Sequence, residues 1–235
     1  MYLEKTLGSI VAEDYRAARI FDHYQLDYCC GGKTALIAAC AEKTIDPEAL
    51  IQELKQLRQN ANGAPAFRDW SIKNLIDYIL VHHHQYIRMN MPSIVTHAEK
   101  VASRHGQHHP EMMEVAIKVA ALQDELLPHL VKEEKVLFPW LEQKESNSQH
   151  PDFSPDSIPD LTRPIEVMEH EHEHAGELIH AIRRLTGNYA IPEDACTTYR
   201  ILLQELEEFD ARLIEHIHLE NNLLFPYGSD YLLNP

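Results

Sequence analysis

None of the four cysteines stands in CxxC spacing, and the opening MYLEKTLGSI lacks the basic start and long apolar run of a secretory signal. A disulfide framework is therefore not expected, and reduced thiols are the default. No stretch approaches the roughly 20 apolar residues that span a bilayer, which excludes a membrane helix. Positive charge is scarce: 21 Lys and Arg against 37 Asp and Glu leave a formal charge of −16. Such a surface repels phosphate backbones and excludes nucleic acid as a partner. Convincing apolar/polar alternation is missing too, which argues against strands. These absences describe a soluble, cytoplasmic, all-α protein.

What is abundant is histidine, with 16 residues of the commonest metal-ligating type. At 235 residues the chain has room for one large domain and a small one. The first 60 residues read as short helices. Ser9 is placed to cap IVAEDYRAARIFDHY, a further helix is expected near Thr34, and Asp46 with Pro47 opens another. NANGAPAF reads as a linker. A small helical domain is thus expected over 1–60 and a larger one over 71–228. In the latter, turn formers separate four long helical segments, from about Ser71 to His105, Pro110 to Glu142, Thr162 to Gly187 and Pro192 to Pro226. Short connections within each pair predict antiparallel neighbours and an up-down-up-down four-helix bundle.

The second and fourth segments share one pattern, H-x-x-x-E-x-x-x-L-F-P, beginning at His129 and at His216. A His and a Glu four apart leave a helix from one face, about 6 Å apart along its axis. A single such pair is often an ordinary surface pair; two matched pairs are harder to obtain by chance. If the halves repeat, the other two helices owe a ligand each. His84 precedes His129 by 45 residues and His172 precedes His216 by 44, which selects them from HHH and HEHEH. Counted from the helix ends, all four imidazoles lie roughly 15 to 20 Å from the same end of the bundle. The candidate ligands are His84, His129, Glu133, His172, His216 and Glu220. Imidazole with bridging carboxylate and no thiolate suits iron or manganese, with zinc also compatible; two non-haem iron ions in a carboxylate- and oxo-bridged di-iron centre are the expected cofactor.

His82 and His83 point away from His84 on a helix and are expected on the solvent side or behind the ligands. His105 is 21 residues beyond His84, about 31 Å along a continuous helix, and stays outside the site. Glu125, one turn before His129, is placed to orient that ligand, its alternative being a solvated carboxylate. Pro128 would interrupt the backbone ladder and suggests a bulge there. Cys29 and Cys30 precede Gly31 and Gly32. Adjacent cysteines close only a strained ring, so they are expected as thiols, lowered toward thiolate by Lys33 and a nearby helix start, for binding iron or for redox or transfer chemistry, the alternative being two small buried residues at a turn. Cys40 and Cys196 fall within apolar patterns and read as core.

The stretch DYCCGGK, followed by a bundle carrying these His and Glu residues and LENNLLFP, resembles the RIC family, the iron-sulfur cluster repair di-iron proteins. The resemblance spans nearly the whole chain. It implies a ScdA-type N-terminal domain with a hemerythrin-like domain, a homodimer, and a cytoplasmic stress protein that restores iron-sulfur clusters damaged by nitric oxide or peroxide. It also implies damaged iron-sulfur proteins as partners and nitric oxide or oxygen as small ligands. Iron donation and nitric oxide removal both remain open as the means, the latter including a nitric oxide reductase-type activity. A hemerythrin-like oxygen- or nitric oxide-binding module without a repair role is the alternative.

Overall fold

The computed structural model describes residues 2–59, 67–148 and 159–229. Most of NANGAPAF and of the segment joining the two helical hairpins lies outside them. The described residues are helical with no strand; a lone bridge pairs Thr6 with Ala35. Two compact units form, one from Met1–Ile76 with Ile217–Pro235 and the other from Asp77–His216.

In the first unit, α1 (Leu7–Glu13) is capped by Thr6, whose hydroxyl oxygen accepts from Ser9 N at 3.2 Å. Ser9 is therefore inside the first turn rather than its cap. The single helix expected from Ser9 onward is two, because Asp14 turns extended and accepts from the backbone and guanidinium of Arg16 before α2 (Ala17–His23) begins. α3 (Leu36–Lys43) and α4 (Pro47–Gln59) follow. Phe21, Leu36 and Leu50 are fully buried, each such side chain contributing about 1.5 to 3 kcal/mol. Tyr24 donates to Glu53 at 2.6 Å, joining the end of α2 to the middle of α4.

Beyond α4 the chain forms long amphipathic helices, of which residues Asp77–His216 make the second unit. α5 (Ile72–Ile79) runs through a π turn, Leu80–His84, into α6 (Gln85–His105). α7 (Glu111–Lys132) runs through a second, Glu133–Leu137, into α8 (Phe138–Ser148). α9 (Thr162–Leu185) has none, whereas α10 (Thr197–Leu219) passes through a third, Glu220–Leu224, into α11 (Phe225–Ser229). Buried residues recur every three or four positions, as in Ile87, Met91, Ile94, Ala98 and Val101 of α6. α6 packs on α7 and α7 on α9. Arg183 of α9 makes a two-pronged ion pair with Asp210 of α10 at 2.7 and 2.8 Å, and His97 of α6 donates to Glu205 of α10 at 2.7 Å. These pairings close the four-helix bundle. α9 ends in three left-handed residues, Gly187, Asn188 and Tyr189, and this turn lets Tyr189 donate its hydroxyl to Asp210 at 2.7 Å.

Two further sequence expectations fail locally. Pro128 lies inside α7 without a bulge there; the wide turn comes five residues later. Cys196 is exposed just ahead of α10, its sulfur 3.1 Å from His105 Nε2, because the helix starts one residue after it. His105, paired in this way, is not among the clustered ligand groups.

Candidate metal centre

Each proposed ligand occupies a position where the apolar stripe of its helix would call for a leucine. On α7 the buried sequence Val115, Val119, Leu122, Leu126 continues to His129 and then Glu133; on α9, Ile165 and Met168 continue to His172 and then Ala175. Phe209 and Leu213 lead likewise to His216, and Ile79 to His84. The core-directed face of each helix thus carries an imidazole or carboxylate into the bundle interior, and burying such groups is costly unless something compensates.

The geometry brings them together. His84, Glu133 and His216 each bring a ligand atom within 4.8 Å of one another, and so do His129, His172 and His216. Glu133 Oε2 is 3.4 Å from His84 Nε2, while its Oε1 is 3.1 Å from His129 Nε2 and 4.0 Å from His172 Nε2. The two oxygens of one carboxylate therefore face different imidazoles. The Nε2 atoms of His129 and His172 approach to 2.9 Å. Glu220 is buried, opens the third π turn and stands four residues after His216 on the same continuous run of helix.

Two carboxylates that sequence reasoning did not assign hold the histidines from behind. His84 Nδ1 donates to Glu134 at 2.8 Å, and His129 Nδ1 donates to Glu171 at 2.8 Å. Arg88 pairs with Glu134 at 2.5 Å, and Lys132 pairs with Glu171. Burial would raise both carboxyls, but their cations and imidazoles prevail and both are lowered. A proton fixed on Nδ1 leaves the Nε2 lone pair of each ring free to point inward. Glu125, for which the same role was expected, accepts from His174 at 2.7 Å in an exposed pair. The available signal was Glu171 inside HEHEH, but which neighbouring helix it meets is not a local property.

The remaining histidines divide by face. His170 is 83 % exposed beside Glu173, so within HEHEH only His172 is buried. His82 lies against the Tyr78 ring. His83, against expectation, is buried and donates from Nδ1 to the Arg212 carbonyl at 3.2 Å; burial first of all lowers it to about 3. The deprotonated state of the cluster favours ligation. Burial pushes His216 well below its ordinary value, with His84 adding to the effect. Burial works against ionising Glu133, yet His129, His84 and His216 hold its carboxyl well below the usual range. A carboxylate with neutral imidazoles is the form that takes a cation. All donors are N and O, which fits iron, manganese or zinc.

The three π turns explain part of this. His84 closes the first, while Glu133 and Glu220 open the other two, and each widened turn shifts the direction of the side chains beyond it. In the repeats the N–H of Phe138 bonds to Glu133 O and that of Phe225 to Glu220 O, and the next residues, Pro139 and Pro226, have no N–H to give. The L-F-P ending of both repeats was the readable signal.

The thiols belong to the first unit. Asp27 Oδ1 accepts from the backbone N–H groups of Cys29 and Cys30 at 3.1 and 3.0 Å. Asn222 donates to the carbonyls of Tyr28 and Cys29 at 3.2 and 3.3 Å, and Asn221 to Cys29 at 3.4 Å. The hydrogen bond with Cys30, burial and Asp27 push the Cys29 thiol well up, opposite to the lowering expected from Lys33. The helix dipole does not rescue it, because α3 starts only at Leu36. His218, which the sequence did not single out, is buried against Tyr28 and lowered to about 4, chiefly by burial.

An all-helical bundle converging buried histidines and a carboxylate defines a cation-binding protein of hemerythrin type. The Hemerythrin HHE cation binding domain model matches residues 75–227, and the ScdA_N model, a domain of unknown function, matches residues 3–58. The chain belongs to the family that joins these two domains. Among its relatives is the iron-sulfur cluster repair protein YtfE of Yersinia pestis (strain Pestoides F), 36 % identical over 225 residues and 96 % of both chains. The protein of the same name from Yersinia pseudotuberculosis serotype O:1b (strain IP 31758) matches to the same extent.

Proposed function

We propose that this protein repairs damaged iron-sulfur clusters through a di-iron centre held by His84, His129, Glu133, His172, His216 and Glu220. The carrying observation is Glu133, whose two oxygens are turned to different imidazoles, the arrangement a carboxylate needs to serve two ions at once. Iron held there would supply one-electron redox chemistry and binding of nitric oxide or oxygen. The chain's own residues do the rest. Glu134 and Glu171 keep the Nδ1 protons in place and the Nε2 lone pairs inward. The apolar stripes of α6, α7, α9 and α10 exclude water around the ligands. A donor set without thiolate grips iron less firmly than cysteine would, which suits a protein that gives iron to a damaged cluster. The relatives' name supports repair as the role; we further infer a homodimer acting in the cytoplasm on damaged iron-sulfur proteins.

Metal analysis with Mössbauer spectroscopy tests the centre, and incubation of the ferrous protein with an iron-sulfur enzyme inactivated by nitric oxide tests the role. Two coupled irons per chain and recovery of the damaged enzyme are expected. Stable, reversible oxygenation without iron release would instead make the protein an oxygen-binding module. Multiple-turnover nitrous oxide formation would make it an enzyme.

A further inference from the structure

The loop Asp27–Cys30 holds a second group of convergent metal donors. One oxygen of Asp27 and the sulfurs of Cys29 and Cys30 all lie within 4.8 Å of one another. The two sulfurs are 3.7 Å apart, and Cys29 Sγ is 3.1 Å from Asp27 Oδ1. Two thiolates bound to one tetrahedral cation at about 2.3 Å stand about 3.8 Å apart, so the observed sulfur separation already matches the edge of such a polyhedron.

The loop is held in this form by groups other than the donors. Two backbone N–H groups fix Asp27 Oδ1, and Asn221 and Asn222 fix the Cys29 carbonyl. Gly31 permits the fold-back: a Cβ there would lie 2.8 Å from the Asp27 carbonyl oxygen and 3.3 Å from Asp27 Oδ2. Cys29 is buried, Cys30 half-buried and Asp27 exposed, so the donor group runs from the interior to the surface. A geometry fixed before binding costs little to occupy.

We propose that Asp27, Cys29 and Cys30 form a cation site, separate in donor type from the histidine cluster, for one thiophilic divalent ion. Two sulfurs and one carboxylate select against magnesium and calcium and in favour of zinc- or iron(II)-like ions. Binding releases the two thiol protons to solvent, so the loop takes up its ion with loss of H⁺. Iron(II) as the ion carried in the cell rests on the repair reading above, and the remaining donor position is then available to a ligand from outside the chain. The site itself does not rest on that reading.

The test uses the full chain with its histidine cluster first loaded with iron under anaerobic conditions, then titrated with cobalt(II). One further cobalt per chain is expected, with thiolate-to-cobalt charge-transfer absorption in the near ultraviolet. Cys30→Ser should abolish that absorption, and Asp27→Asn, which keeps the oxygen that accepts the two N–H bonds, should weaken binding at least ~10-fold. Both variants should keep wild-type helicity and bundle iron. Absence of the charge-transfer band in the wild type, or an undiminished band in the Cys29→Ser/Cys30→Ser double variant, would overturn the site. Cluster repair is scored separately: a chain that takes cobalt at the loop but repairs nothing keeps the site and removes the repair reading.

Discussion

Glu171 of α9 accepts a hydrogen bond from Nδ1 of His129 on α7 at 2.8 Å, and Lys132, three residues along α7, pairs with the same carboxylate. Glu134 stands to His84 in the same way, with Arg88 as its cation. The two histidines are thereby fixed in one tautomer by groups that do not reach the cluster themselves.

Removing those groups separates orientation from ligation. Glu171→Ala and Glu134→Ala should each weaken metal binding by about 10- to 100-fold while leaving the helical content unchanged. Competition with a chromophoric chelator measures it. Wild-type affinity in both variants would mean the histidines need no such support.

Stripping the metal should destabilise the chain. Any ion that binds only the folded state adds stability by mass action, about 2.7 kcal/mol when its concentration is 100 times Kd. Thermal unfolding before and after chelation should show a lower Tm without metal, and the gain on re-adding iron should shrink in His172→Ala. An unchanged Tm in the wild type would count against a cation at the cluster.

The end of α9 gives a pH prediction. Burial and then Asp210 raise the Tyr189 phenol well above its ordinary value. A raised acid contributes stability that is fully present below its unfolded pKa and fades as the pH climbs past it, because only the unfolded phenol then ionises. The wild type should therefore lose stability from about pH 10 upward. Tyr189→Phe should cost roughly 1 to 3 kcal/mol at neutral pH by leaving the buried Asp210 one donor short. Across the alkaline range it should fall less steeply than the wild type in urea unfolding. Parallel alkaline limbs would show that Tyr189 ionises as freely folded as unfolded.

A methyl group on Gly32 tests the clamp on the thiol loop. Its Cβ would lie 2.2 Å from Asn222 Oδ1 and 2.6 Å from the Tyr28 carbonyl oxygen, so the amide must move and release Tyr28 and Cys29. Gly32→Ala should destabilise the fold by about 1 to 3 kcal/mol and raise the reactivity of the Cys30 thiol toward a disulfide reagent. Unaltered reactivity would show that the loop holds its shape without Asn222.

Much of this was legible because it is local. Histidines and glutamates spaced by four on helical runs, the two L-F-P endings and the near-equal offsets of 45 and 44 residues are fixed by the order of residues along one helix. The helical class and the bundle follow from the same periodicity and from the short connections. The widened turns at His84, Glu133 and Glu220 left only indirect traces in the prolines that follow two of them. The choice of Glu171 over Glu125 behind His129 had no local trace at all: the two lie on different helices, and only their packing decides which one faces the ring. The same holds for the Cys29 thiol, raised by its hydrogen bond with Cys30, by burial and by Asp27, and for exposed Cys196. Sequence by itself determined which donors exist and which helix face carries them, since helix geometry repeats every few residues. Tertiary structure alone decided which donors meet, what stands behind them and how burial sets their protonation, because those depend on distances between segments far apart in the chain.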